Sequence, residues 1–308
     1  MEELPRPEPG PGQVRVAVLN VGVSFADVLM LSGRHQIRPA PPFIPGLEGA
    51  GVVDALGEGV TRLQVGARVN TGGLGAMAEY GVFPAASVHP FPHTMPFDDA
   101  AVFRGPYTTA FHALIQRGSL VAGETVVVLG AGGAVGVATV QLAKALGARV
   151  IASASSRAKR ELAARCGADA TVDGAAPDWR GQVTALTGGR GVDIVVDTVG
   201  AGADEPAFRS LTWGGRHLVV GFAHGAIPSL PTDLALQQGA AIVGVDTHQF
   251  AIYEPQTYAS NLQALFALYA AGRLAPPIAA RFSLADCVQA MKAVEGGALA
   301  GRVLIEVD

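Results

Sequence analysis

The sequence predicts an α/β protein of two domains, a doubly wound parallel sheet in the middle of the chain and a β-rich unit built from its two ends. Three observations carry this. Residues 14–91 are short apolar runs cut by glycine and proline, a pattern of strands and turns. From Glu124 onward strand-like runs alternate with helix-like ones, as right-handed crossovers onto a parallel sheet require. The chain has 308 residues, room for two domains of roughly 150 residues each. The expected division is 1–106 with 246–308 for the end-built unit and 107–245 for the middle one.

Along the chain, the first unit offers VRVAVLNVGV, GLEGAGVVDALG, ARVN, AEYGVF and SVHPF as β-segments, with helices expected near 25–32 and 97–117. In the middle unit TVVVL (125–129) is short and wholly apolar, suited to a central strand buried on both faces. A helix at 135–146 and a strand at 149–153 follow, then a helix at 157–166, a strand at 193–197, a helix at 205–213 and strands at 217–221 and 242–245. The last stretch reads as helices at 258–272 and 284–295 and a closing strand.

The motif that carries chemistry joins the first two strands of this alternation. TVVVL runs into GAGGAVG, Gly130 to Gly136, and then into a helix. Glycines there permit a tight turn and close backbone approach to a pyrophosphate, and the helix N-terminus adds free N–H groups and a positive dipole end. Gly130, Ala131, Gly132, Gly133, Ala134 and Val135 are therefore expected to bind a dinucleotide. The GxGxxG spacing fails by one residue, because its last glycine falls at 136. The second strand ends IASASSRAKR, without the Asp or Glu that holds ribose hydroxyls in NAD-selective sites. Ser153, Ser155, Ser156, Arg157, Lys159 and Arg160 instead suit a 2′-phosphate, which predicts NADPH. The alternative, that these cations merely decorate an exposed helix start, stays open. The chain has only three lysines, so Lys159 at this place is informative.

Composition excludes other classes. Hydrophobic residues make up 49% and charged residues 16%, which rules out global disorder. The net charge of -4 argues against a phosphate-coating nucleic-acid binder. Cys166 and Cys287 cannot form a disulfide framework, and no apolar run reaches the ~20 residues of a membrane helix. The expectation is a cytoplasmic enzyme without membrane or nucleic-acid partners.

Several segments together resemble the medium-chain dehydrogenase/reductase superfamily, in its zinc-independent quinone oxidoreductase branch. They are GVSFADVLMLSGRHQ, PFIPGLEGAGVV, YTTAFHAL, GETVVVLGAGGAVGVATVQLAKALGARVIASASS, GGRGVDIVVDTVG, WGGRHLVVGFAHGAIPSLP and AGRVLIEVD. The resemblance implies a Rossmann domain, a GroES-like β-barrel domain and a homodimer joined near the strand at 242–245. It also implies NADPH-dependent hydride delivery to quinones or α,β-unsaturated carbonyls. An enoyl-thioester reductase and a cofactor-binding protein with little turnover are the rivals.

Residue by residue, the resemblance places Ser24 where zinc alcohol dehydrogenases have a cysteine and Leu47 where they have a histidine. The third ligand would fall near Arg104 or Gly105, neither of which binds zinc. No metal is expected. Bare hydride transfer then suits conjugated acceptors whose developing oxyanion hydrogen bonds can hold. By the same resemblance, Thr109, Phe222, Ala223 and His224 line the nicotinamide, and Ser24, Asp27 and His35 lie on the substrate side. Ser24 stands where the family commonly has Asn, His35 where it has Tyr, and Gly174 where a Tyr packs beside the adenosine. Asp27 is open between a helix-capping and a substrate role. Arg104 is read as a cleft cation or a partner of Glu48 or Asp98. Family members usually begin with a further strand or hairpin, whose lack here would leave a sheet edge unpaired.

Overall fold

The computed structural model describes residues 2–200, 204–223, 225 and 227–307. The chain divides into two compact units, Met1–Gly105 with Ala275–Asp308, and Pro106–Leu274. The strands in chain order are β1 (Gln13–Val23), β2 (Glu48–Leu56), β3 (Arg68–Gly72), β4 (Tyr80–Pro84), β5 (His89–Pro90), β6 (Thr125–Leu129) and β7 (Arg149–Ala154). They continue with β8 (Ala170–Asp173), β9 (Val192–Asp197), β10 (Leu211–Val219), β11 (Ala241–Gly244), β12 (Ile278–Ser283) and β13 (Arg302–Glu306).

In the end-built unit, β12, β13, β1, β2, β3 and β5 follow one another in one sheet, and β4 also pairs with β1. The long β1 divides one of its edges, with Gln13–Ala17 on β4 and Asn20–Val23 on β13. Register shifts against β2 at Arg15/Val16 and Val18/Asn20 bend it enough to do so. Its alternate residues Val14, Val16 and Val18 join Val53, Val69, Phe83 and Ile305 in the core of this unit. Each such side chain contributes about 1.5–3 kcal/mol by leaving water.

The middle unit holds a six-stranded sheet in the order β11-β10-β9-β6-β7-β8, with every pairing parallel. Counted within the unit this is the order 6-5-4-1-2-3, the doubly wound dinucleotide-binding arrangement. All five residues of β6 are buried, as a strand covered by helices on both faces must be. The strand order reverses between β6 and β9, where Leu129 and Asp197 stand side by side at the carboxyl ends.

The structure corrects two expectations. The helix expected at 205–213 ends at Phe208, and Leu211–Val219 is strand, because Leu211 pairs with Val192 and Gly214–Gly215 interrupt any helix. The chain returns to the end-built unit at Ala275, not at 246. The helices Thr247–Tyr253 and Pro255–Ala270 stay with the middle unit through specific contacts. Thr247 bonds Thr109, Phe250 stacks on His112 at 4.0 Å, and Asn261 exchanges amide hydrogen bonds with Gln116. Among the described residues no helix is long and apolar enough to cross a membrane.

Candidate functional site

The glycine turn leaves the end of β6 at the place where the strand order reverses, where open α/β sheets bind ligands. Gly130 has φ +73°, and a β-carbon there would collide with Thr198 Oγ1. The Ala131 amide donates to Ser153 O at 3.0 Å, and the Gly133 amide to Gly130 O at 3.0 Å. A β-carbon at Gly136 would strike Gly130 O, so the displaced last glycine still does the packing work of the motif. Gly133 caps the helix Ala134–Ala145 without any side chain, and the first-turn amides stay available to an anion. The six expected residues from Gly130 to Val135 thus form one cradle, and a backbone this bare fits a pyrophosphate.

Beside it, the end of β7 sorts its polar residues into different tasks. Ser153 is buried, and a β-carbon on Gly174 would approach its Oγ to 2.7 Å. Ser155 is exposed, and Ser156 caps the helix Arg157–Arg165 by accepting from the Lys159 amide at 3.4 Å. Lys159 lays its aliphatic stem against Gly132. Arg160 donates to Ala154 O at 2.9 Å and pairs with Asp173 at 3.0 Å. Arg157 turns outward to Glu161 at 2.7 Å, and that hydrogen bond and charge raise its pKa. Of the expected cations, Lys159 therefore stands nearest the glycine turn, whereas Arg157 is engaged elsewhere.

A third segment joins these two. The Val220 and Gly221 amides donate to Asp197 O at 2.9 and 3.3 Å, and the Ala223 amide to Thr198 O at 3.2 Å. Thr198 Oγ1 donates to Leu129 O at 2.9 Å. Phe222 and Ala223 are thereby held to the turn that borders Gly130; His224, expected with them along the nicotinamide, lies outside the described residues. Asp197 and Thr198 were not among the expected site residues. Their signal was the polar pair closing the apolar run of β9. Thr109, on the helix Phe97–Phe111, shares its hydroxyl with Thr247 at 3.2 Å.

In the end-built unit, Ser24 and Asp27 form a capping box at the start of the helix Phe25–Leu31. Asp27 is only 1% exposed. Its Oδ2 accepts from the Ser24 amide at 2.9 Å and hydroxyl at 2.6 Å, and its Oδ1 from the Gly46 and Leu47 amides at 3.2 and 3.0 Å. Burial pushes its pKa up, and these four donors oppose the rise. His35 lies in the turn that follows, half-exposed, with Nδ1 accepting from the Ile37 amide at 3.0 Å.

The same unit separates the two carboxylates expected as partners of Arg104. Asp98 pairs with Arg281 at 2.7 Å, whereas the Arg104 guanidinium lies over Gly72 and its charge acts on Glu48. Glu48 is buried, paired with Arg302 and bonded by the Gly105 amide at 3.0 Å. Burial drives its pKa upward; Arg302, that amide and Arg104 pull the other way. Of the two positions that the resemblance compares with zinc ligands, Ser24 has its hydroxyl in the helix cap, and Leu47 has an aliphatic side chain that cannot bind a metal. Among the described residues no three His, Cys, Asp or Glu side chains are grouped to hold a metal ion.

Comparison with known proteins agrees with this geometry. Residues 10–93 match the alcohol dehydrogenase GroES-like domain, and residues 134–266 match the zinc-binding dehydrogenase family. A quinone oxidoreductase-like protein 2 homolog from Nematostella vectensis is 34% identical over 96% of this chain and 82% of its own length. The chain belongs to the medium-chain dehydrogenase/reductase superfamily, as a quinone oxidoreductase-like member. Its fold is that of solved oxidoreductases. A probable oxidoreductase from Mycobacterium abscessus superposes with a TM-score of 0.88 at 35% identity, covering 97% of this chain and 91% of that one. A mycobacterial protein solved with NADPH superposes with a TM-score of 0.92 at 29% identity, covering 99% and 94%. As a medium-chain dehydrogenase/reductase it is an oxidoreductase with a dinucleotide-binding domain.

Proposed function

We propose that this chain is a zinc-independent, NADPH-dependent reductase of quinones or α,β-unsaturated carbonyl compounds, working in the cytoplasm as a homodimer. The observation that carries the reading is the bare cradle from Gly130 to Val135 with the Lys159 stem against it and no carboxylate at the end of β7.

NADPH, when bound, supplies the hydride. The protein's own residues bind and orient. The Gly130 turn and the open amides of the helix Ala134–Ala145 hold the pyrophosphate. Lys159 and Ser155 hold the 2′-phosphate by charge-assisted hydrogen bonds. Phe222 with its neighbour Ala223, whose amide bonds Thr198 O, and Thr109, tied to Thr247, orient the nicotinamide end. Conjugated acceptors disperse the charge that hydride addition creates, so hydrogen-bond donors suffice where a carbonyl alone would ask for a Lewis acid. Ser24 and Asp27 shape the substrate side by fixing the helix Phe25–Leu31 against the Gly46–Leu47 backbone.

A steady-state assay with NADPH and a panel of quinones and enones, run with and without EDTA, tests the reading. Turnover of at least one acceptor, undiminished by EDTA, is expected. NADPH binding without turnover of any acceptor would leave only a cofactor-binding protein.

A further inference from the structure

Beneath the cofactor-lining segments lies a buried acid–imidazole pair that the proposed function leaves unused. Asp197 ends β9 and His217 sits on β10, with side chains 3% and 1% exposed. His217 Nε2 stands 3.1 Å from Asp197 Oδ2. The other carboxylate oxygen accepts from the Val199 and Gly200 amides at 2.8 and 2.9 Å. His217 Nδ1 is buried without a partner, and the ring stacks on Phe208 with centroids 6.1 Å apart. A ring proton on Nε2 is donated to the carboxylate across this distance.

The turn this pair holds is the junction of the site. Through its backbone and through Thr198, the 197–200 turn bonds the end of β6, fills the space a β-carbon would need at Gly130, and carries the amides of Val220, Gly221 and Ala223. It lies where the strand order reverses, so a shift there moves two walls of the cofactor site at once.

We propose that His217 is a positioning residue for the dinucleotide. By donating to Asp197 it sets the 197–200 turn, and through that turn the Gly130 cradle and the 220–223 segment. The inference rests on the dinucleotide reading above. Without the donor, Asp197 Oδ2 is a buried carboxylate oxygen lacking a partner, and the group must take up a proton or turn toward water. Either outcome weakens its hold on the Val199 and Gly200 amides.

The test compares two substitutions in the full chain. His217→Phe keeps a ring against Phe208 and removes the donor; His217→Gln restores an N–H near the place of Nε2. Hydrogen exchange of the Val199 and Gly200 amides is measured without cofactor, and the NADPH Kd is measured by fluorescence. His217→Phe should speed exchange at both amides and raise the Kd about tenfold, with His217→Gln recovering most of each. Val183→Ala, a core truncation in the same unit, should lower the melting temperature and leave the Kd alone. If His217→Phe does not fold, His217→Asn replaces it, since its shorter amide does not reach Asp197. Unchanged exchange, or faster exchange with an unchanged Kd, overturns the proposal. Wild-type chain that binds no NADPH overturns instead the function on which it rests, and the two failures are told apart by that control.

Discussion

The stem of Lys159 lies against Gly132 so closely that a β-carbon at 132 would overlap Lys159 Cβ and Cγ. The contact links the glycine turn, proposed to hold the pyrophosphate, to the residue proposed to read the 2′-phosphate, which gives the two positions different predicted phenotypes. Lys159→Ala should raise the NADPH Kd about tenfold, or about 1.4 kcal/mol, and leave NADH nearly unchanged. Gly132→Ala should weaken both cofactors, because it displaces backbone as well as Lys159. Titration of each variant with both cofactors decides the matter. Equal losses in Lys159→Ala would sink the NADPH assignment.

Asp27 carries a structural prediction. Its removal strands the Ser24, Gly46 and Leu47 amides, and a buried donor left unpaired costs about 1–3 kcal/mol. Asp27→Ala should therefore lower stability in urea by roughly 3 kcal/mol, and Asp27→Asn by less, since one carbonyl oxygen remains. Turnover per folded molecule should stay within about threefold of wild type. A loss of turnover near a hundredfold at unchanged stability would assign Asp27 to the chemistry instead.

These two residues mark how far the sequence was legible. The glycine turn and its strands could be read because local pattern and fold coincide there: β6 is apolar since it is covered on both faces, and the glycines at 130 and 136 stand where a β-carbon would strike Thr198 and Gly130 O. Asp27 was ambiguous because a capping acid and a substrate acid look alike in sequence. Its decisive partners, Gly46 and Leu47, are brought to it by the fold. The pairing of Arg157 was, by contrast, open to a sequence reading, since Glu161 stands one helical turn away and competes with any phosphate. The late domain boundary escaped because the side chains that hold 247–274 to the middle unit, Thr109, His112 and Gln116, lie more than a hundred residues earlier.

For His35 the hydrogen bond that Nδ1 accepts from the Ile37 amide gives the side chain a turn-shaping task. His35→Ala should then raise KM, with kcat within about threefold and an unaltered pH profile. A hundredfold lower kcat at unchanged KM would make His35 a general acid.

At the edge of the six-stranded sheet, β11 pairs, among the described residues, with β10 alone and exposes Ala241, Ile242 and Gly244. An open apolar edge of this kind favours pairing with its own copy about a two-fold axis. Light scattering at micromolar concentration should give a dimer, and Ile242→Lys should shift it toward monomer. A monomeric wild type would refute the pairing.

The last prediction concerns pH. Burial, with the charges of Arg104 and Arg62, pushes the His89 pKa down from 6.5 to about 4. The folded state then binds fewer protons than the unfolded state between those values, so stability falls as the pH drops from 6.5 toward 4. The shift corresponds to at most roughly 3 kcal/mol. Asp54, Asp98, Asp169, Asp193 and Glu124, whose pKa values ion pairs and hydrogen bonds hold low against the effect of burial, lose their contributions only further into acid. The raised carboxyls Asp27 and Glu48 act with the opposite sign, and buried His112 with the same sign as His89. The comparison that isolates His89 is therefore a difference. Urea unfolding of wild type and His89→Gln across pH 7 to 4.5 should show the wild type losing stability more steeply. Parallel curves would mean that His89 reaches solvent and titrates freely.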